Sequence, residues 1–277
     1  MSTITEQLGI FQDLPRDTRP PETPTWNLWH GCTKVSAGCA HCYMYRRDES
    51  VGRDPSKVEK TREFDLPVRI LRSGPYRGLY AVPAGSLFYT CFSSDFFHPA
   101  ADGWRQDAWD MIRTRSDCGF FMITKRPERI AACLPPDWGE GWEQVTVAVT
   151  CENADAADKR LPVYLALPLR HRSVMIEPML SPVDLGPWFR DYPGAVEAVS
   201  AGGESGPDAR PCDFAWVTRV RDCCAEYGVA FSYHQTGARL VKDGKEYIIP
   251  RRLQHSQAKK AGLDIPGAAD LSAIPGE

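Results

Sequence analysis

The sequence predicts an α/β fold, a full or partial (β/α) barrel with about six to seven parallel strands. Two observations carry that expectation. Short apolar runs rich in β-branched and aromatic residues recur along the chain, each followed by sequence of helical period. The runs are continuous rather than alternating, as in parallel strands covered on both faces. The length of 277 residues is also that of an α/β barrel built as one domain. A doubly wound open sheet is the alternative architecture.

In chain order the runs are Thr25 to His30, Ser86 to Cys91, Cys118 to Thr124, Val145 to Thr150, Arg172 to Glu177, Val196 to Ser200 and Val229 to Tyr233. The segment from Ala101 to Arg115 sets Trp104, Ala108, Met111 and Ile112 at helical spacing. Asp213 is placed to cap a helix carrying Phe214, Val217, Val220 and Cys224, which ends at Tyr227-Gly228. Residues 1–24, with Pro15, Pro20, Pro21 and Pro24, read as an extended arm. Residues 25–240 then form the barrel, and residues 241–277 a basic C-terminal extension that ends, from about Gly262, in a mobile tail.

Composition narrows the function classes. A net charge of −3 with 25% charged residues argues against a dedicated nucleic-acid binder, which carries a basic excess. The local run Arg239, Lys242, Lys245, Arg251, Arg252, Lys259 and Lys260 reads as a solvated face or tail. Neither a signal peptide nor an apolar run long enough to span a membrane is expected. The ten cysteines therefore suit a reducing, cytoplasmic setting. Cys118, Cys133, Cys151 and Cys212 stand alone and are expected as small buried apolar groups. Cys223 and Cys224 are adjacent on a helix and point different ways.

Three cysteines differ from the rest. Cys32-x6-Cys39-x2-Cys42 lies between a strand and the helical start Tyr43-Met44-Tyr45-Arg46-Arg47. Three thiolates on such a loop can hold three irons of a [4Fe–4S] cluster and leave the fourth open. Structural zinc normally wants four closed ligands, so it fits less well.

In either architecture ligands sit beyond the carboxyl ends of the strands. Those ends are polar throughout: Ser93-Ser94-Asp95, Thr124-Lys125-Arg126-Pro127, Cys151-Glu152-Asn153, Glu177-Pro178, Gly202-Gly203-Glu204-Ser205-Gly206 and His234-Gln235-Thr236-Gly237. With the cysteine loop after the first strand, they point to one convergent site. Each taken singly reads as loop capping or a surface ion pair.

On Trp26-Asn27, the Cys32 to Tyr43 loop, Ser94 to Phe97, Thr124 to Pro127, Ile176 to Pro178, Gly202 to Gly206 and Gln235 to Gly237, the chain resembles the phage Gp37/Gp68-like (DUF5131) family. On Cys42-Tyr43, Ser94-Asp95 and Lys125 it more distantly resembles the radical S-adenosylmethionine (SAM) superfamily, above all its spore photoproduct lyase-like branch. The resemblance implies a radical SAM-type barrel. Its [4Fe–4S] cluster would be held by Cys32, Cys39 and Cys42, with SAM on the open iron and an electron donor such as flavodoxin or ferredoxin. It implies Asp95 or Ser94 on the methionine ammonium, Lys125 on its carboxylate, and Glu152 and Asn153 on the ribose. Gly202 and Gly203 would allow close backbone approach to the cofactor. Glu177 and Glu204 complete the cofactor-binding set. Cys91 and Tyr43 are candidates for hydrogen or electron relay, although Cys91 stands one residue off the lyase position, which could turn its thiol to the opposite strand face.

Two departures are visible. Six residues, not the usual three, separate Cys32 from Cys39, and the Gly-Gly-Glu turn follows the sixth strand rather than the second. The expected function is an iron–sulfur enzyme that cleaves SAM reductively to abstract hydrogen, with a nucleobase or nucleic acid as substrate and a partner protein beside it. Phe96, Phe97 and Trp142 are candidates to stack on a base. His30 and His98 are candidates for the remaining cluster face or the substrate. The competing readings are a zinc-binding interaction module using His30 or His41 as fourth ligand, and an iron–sulfur protein without radical chemistry.

Overall fold

The structure, a computed structural model, describes residues 17–267. The chain runs β1 (Thr25–Trp26), β2 (Trp29–His30), α1 (Tyr43–Ser50), β3 (Glu59–Lys60), β4 (Leu87–Thr90), α2 (Asp102–Thr114), β5 (Gly119–Thr124) and α3 (Pro127–Cys133). It continues through β6 (Val145–Thr150), α4 (Ala154–Leu165), β7 (His171–Ile176), α5 (Gly186–Asp191), β8 (Ala198–Gly202), β9 (Cys212–Asp213) and α6 (Phe214–Tyr227). The last elements are β10 (Ala230–Gln235), the hairpin β11 (Arg239–Lys242) and β12 (Lys245–Ile248), and α7 (Arg251–Lys260).

Seven strands form one parallel sheet in the order β1-β4-β5-β6-β7-β8-β10. Among the described residues β1 and β10 are its two edges, so the sheet is a half-barrel. Its curvature follows from the side chains. Phe88, Phe120, Val147, Val149, Val174, Ile176 and Val199 project into the large core under the helices. Alternate residues face the other way, and across β6, β7, β8 and β10 they are small: Ala148 lies opposite Ser173, Ser173 opposite Ala198, and Ala198 opposite Ala230. Bulk on one face and small groups on the other let the sheet curl around the second face.

The apolar runs match these strands closely, with one break and two reassignments. The run from Thr25 to His30 is not one strand. The Asn27 side chain accepts the Ser93 N–H at 2.9 Å and its carbonyl accepts the Thr61 hydroxyl at 2.5 Å. The chain therefore leaves the sheet there, and Trp29–His30 pairs antiparallel with Glu59–Lys60 instead. Of the tail expected to be mobile, residues 262–267 lie within the described residues and reach β10. Phe231 and Ile265 exchange backbone hydrogen bonds of 3.0 and 2.8 Å, and Asp264 accepts the Tyr233 N–H at 2.8 Å. This segment occupies the hydrogen-bonding edge that β10 would otherwise expose. Phe96 and Phe97 are fully buried, and Trp142 packs on Trp109 and Trp138, so these aromatics serve the core rather than a base.

The arm is extended over its described part, where the Leu87 and Tyr89 N–H groups donate to the Glu22 and Pro24 carbonyls, each at 2.9 Å. Residues 1–16 and 268–277 lie outside the described residues. No cysteine is in a disulfide, and Cys118, Cys133, Cys151 and Cys212 are buried. Among the described residues no helix is long and apolar enough to cross a membrane.

Phe120 stacks on Phe88 at 5.0 Å and meets Trp26 edge-on at 5.8 Å. Phe120→Ala should destabilise the fold by about 3–5 kcal/mol, the usual cost of emptying such a site. Urea unfolding should show a lower midpoint with an unchanged slope.

Candidate active site

The cysteine loop leaves β2 through Gly31, whose φ of +94° and closeness to Lys57 exclude a side chain: a Cβ there would lie 2.1 Å from the Lys57 carbonyl oxygen. Ala37–Cys39 form one turn of 3-10 helix, and Cys42 immediately precedes α1. Charged groups from four strand ends grip the loop. Arg126, after β5, donates to the Thr33 carbonyl at 2.8 Å and hydroxyl at 2.9 Å, and to the Cys32 sulfur at 3.7 Å. Glu152, after β6, accepts the Gly38 N–H at 3.1 Å. Glu204, after β8, lies 3.1 Å from His41 Nδ1, and Arg210 reaches the Ala37 carbonyl at 3.0 Å. Asp95, after β4, holds Arg126 itself at 2.9 Å.

The result is a cavity of about 190 Å³ at the carboxyl ends of the strands. All three cysteines line it, with Lys125, Glu177, His234, Thr150 and the apolar Met44, Phe92, Ile123 and Met175. A smaller space of about 120 Å³ adjoins it, and Cys39, Cys42, Tyr43, Lys125 and Glu177 border both. Cys91, Ser94 and Asp95 also line the larger cavity.

A family profile described as a protein of unknown function (DUF5131) matches residues 22–270. The chain belongs to that family. No curated protein and no solved structure matches it.

In this DUF5131 protein the expected site residues divide into those that face the cavity and those that hold its walls. Lys125 faces both cavities, and among the described residues its ammonium makes no hydrogen bond or ion pair. Glu177 also borders both, but its carboxylate accepts from Gln235 at 2.7 Å and lies 2.9 Å from His234 Nδ1. Asp95 has its oxygens filled by the Phe97 and Lys125 N–H groups, the Thr124 hydroxyl and Arg126. It is an anchor more than a receptor for an ammonium. Ser94 donates to the Gly31 carbonyl at 2.5 Å, and the Tyr43 phenol to the Phe92 carbonyl.

The pair expected on a ribose does not line either cavity. Glu152 is fully buried against Arg160 at 2.6 Å, and Asn153 caps α4 by accepting the Ala156 N–H at 2.8 Å. The glycines are also explained from within the chain. A Cβ on Gly202 would lie 2.8 Å from the Glu177 carboxyl carbon, and one on Gly203 would lie 2.3 Å from the Thr236 carbonyl oxygen. Glu204 is clamped by Arg210, whose Nε donates to it at 2.8 Å. Cys91 has φ +62°, and this residue of the cavity lining is also packed in the large core.

The histidines offered for metal are engaged elsewhere. His30 Nε2 sits 2.6 Å from Asp48, and His98 Nε2 sits 3.0 Å from the Thr33 hydroxyl while its Nδ1 accepts the Ala100 N–H. Among the described residues no three His, Cys, Asp or Glu converge on a single ion. The irons of a cluster occupy separate corners, so its thiolates need not converge on one point. Three thiols on one loop beside one cavity fit that donor set. Thr150 adds a second sign of an incomplete site: its hydroxyl is buried in the cavity wall without a partner among the described residues.

Burial pushes the Cys32 thiol up to about 11, only partly offset by Arg126. For Cys39 the same burial is outweighed by the Lys125 charge and by backbone hydrogen bonds from Val35 and Ser36, which hold it below its ordinary value. Burial drives Cys91 well above its ordinary range, so it is a neutral thiol. Arg126, Thr150, His234, Gln235 and Arg210 were not assigned roles from sequence. The Thr-Lys-Arg-Pro turn holds Arg126, and the Gln-x-Gly turn holds Gln235 and adjoins His234, whereas Thr150 closes an apolar run and nothing local marked Arg210.

Arg126→Ala strips the buried Asp95 of its cation and the Cys32 end of the loop of its donor. A loss of about 3 kcal/mol is expected by urea unfolding, with faster amide exchange confined first to residues 32–42. Burial alone would raise Glu152, Glu177 and Glu204, but it is outweighed, chiefly by Ser36 and Arg160 for the first, His234 and Gln235 for the second, and Arg210 for the third, so all three sit below the usual carboxylate range. The folded state then binds fewer protons than the unfolded one. Their contribution is complete above the unfolded value of about 4.3 and is lost as pH falls through the lowered folded values. Unfolding midpoints should drop steeply in that window, and Glu204→Gln should flatten the drop.

Proposed function

We propose that this protein is an iron–sulfur enzyme of radical SAM type, with a nucleobase or nucleic acid as its substrate class. One observation supports it above the rest: the three cysteines of one loop and Lys125, whose ammonium has no partner among the described residues, border a single cavity at the carboxyl ends of a parallel sheet. Cys32, Cys39 and Cys42 would hold the cluster, and Lys125 would receive the carboxylate of SAM. When bound and reduced by a donor such as flavodoxin or ferredoxin, the cluster supplies the electron that splits the SAM sulfonium.

The chain's own residues do the rest. Arg126 and Glu152 fix the loop so that its thiols keep their spacing despite the six intervening residues. Lys125 favours the thiolate at Cys39. Met44, Phe92, Ile123 and Met175 present apolar surface to the cavity and exclude water, which a carbon radical requires. Glu177 and His234 place an oriented carboxylate–imidazole pair in the cavity lining, able to hold or move a proton at the ring nitrogens. The neutral Cys91 thiol carries a hydrogen atom that a radical can take, and Tyr43 borders both spaces.

Anaerobic reconstitution with iron and sulfide should give a brown protein with about four irons per chain. The reduced form should convert SAM to 5′-deoxyadenosine and methionine, and its paramagnetic resonance spectrum should change on SAM addition. Cys39→Ala should lose both cluster and turnover, while Lys125→Ala should keep the cluster and weaken SAM binding. A fully loaded cluster that yields no deoxyadenosine with cell extract as substrate, or stoichiometric tetrahedral zinc, would overturn the proposal.

A further inference from the structure

The C-terminal extension carries a concentrated positive charge beside the cavity. Helix α7 has four Arg or Lys residues, one His and no Asp or Glu, in a chain whose net charge is −3. Arg251, His255 and Lys259 stand four residues apart, and Arg252, Ser256 and Lys260 form the adjoining row. All six are exposed. The opposite side, with Gln254 and Ala258 buried, packs on β10. At about 1.5 Å per residue the two rows run for about 12 Å.

This stripe reaches the cavity. The exposed His255 donates from Nδ1 to the His234 carbonyl across 2.9 Å, and the two rings meet edge-on at 4.7 Å. His234 itself lines the cavity. The hairpin before α7 adds Tyr247, exposed by 40% and with Lys245 over its ring. Its Arg239 is neutralised by Glu246 and contributes no free charge.

We propose that the outer face of α7, with Tyr247 beside it, binds the phosphate backbone of single-stranded nucleic acid and delivers a base to the cavity. Cations in rows suit a polyanion, and their position beside the mouth suits a strand from which one base must leave the stack. A membrane would need an apolar face flanking the charges, and α7 has spent its less polar side on β10. The proposal rests on the reading of the cavity as the substrate site and names the substrate class more narrowly.

The test is fluorescence anisotropy with fluorescein-labelled single strands of DNA and RNA of about 20 nucleotides, without SAM or reductant. At about 50 mM salt the full chain should bind near the micromolar range, with a log–log salt slope of about −3 for about four phosphates. Arg251→Ala/Arg252→Ala should weaken binding about tenfold and flatten the slope by about 1.4. Lys159→Glu on α4 makes the same change in net charge at a remote exposed pair and should alter affinity less than about twofold. Lys259→Ala/Lys260→Ala at the other end of the helix should act in the same direction, which keeps the test readable if the first pair fails to fold. The full chain before and after reconstitution with iron and sulfide should bind alike, so loss of the cluster is told apart from loss of this surface. Absence of saturable binding, equal losses in the α7 and Lys159 variants, or tighter binding to phosphatidylserine–phosphatidylcholine vesicles than to either strand would overturn the proposal.

Discussion

Asp95 and Arg126 form the contact on which the site depends. The carboxylate ends β4 and takes the Thr124 hydroxyl, the Lys125 N–H and the Arg126 guanidinium from the end of β5. The guanidinium then reaches past it to Thr33 and Cys32. Both side chains are nearly excluded from water, with 6% and 5% of their surfaces exposed, so neither charge can fall back on solvent. A pair of this kind contributes little net stability over an apolar replacement, but it leaves only one arrangement in which both charges are satisfied. That arrangement sets the cysteine loop against two neighbouring strands.

The same logic is repeated around the rim. Glu152 links the loop to Arg160, and Glu204 links it to Arg210. Glu177 is pinned between His234 and Gln235 across a space that Gly202 leaves clear. Carboxylates at strand ends are thus spent mainly on holding the protein to itself. Lys125 stands apart because among the described residues its ammonium makes no ion pair, which leaves its charge open to a ligand. Walls held in this way beside the Lys125 ammonium suit the anion-binding, water-excluding site proposed above.

The two faces of the sheet explain why the site has room. Aromatic and branched residues fill the helix side, while on the other side Ala148, Ser173, Ala198 and Ala230 leave room beside the larger Tyr89, Phe121 and Met175. Seven strands were legible because each is a short apolar run whose burial on both faces leaves no other pattern to read. The break at Asn27 was not legible, since it comes from Ser93 and Thr61, far along the chain. The docking of Ile265 on Phe231 was hidden for the same reason: a bridge between distant segments leaves no local periodicity.

By itself the sequence determined the α/β class, the succession of strands along the chain, and the loop that carries three closely spaced thiols. Those are properties of local composition and spacing, and burial or chelation acts on them directly. Only the tertiary structure decided which polar strand ends face the cavity. Asp95, Glu152, Glu204 and Lys125 all follow strands and look alike in one dimension, but among the described residues Lys125 makes no ion pair while each carboxylate turns toward a cationic partner. That partner is supplied by a different strand, helix or loop, so it exists only once the chain has closed around it.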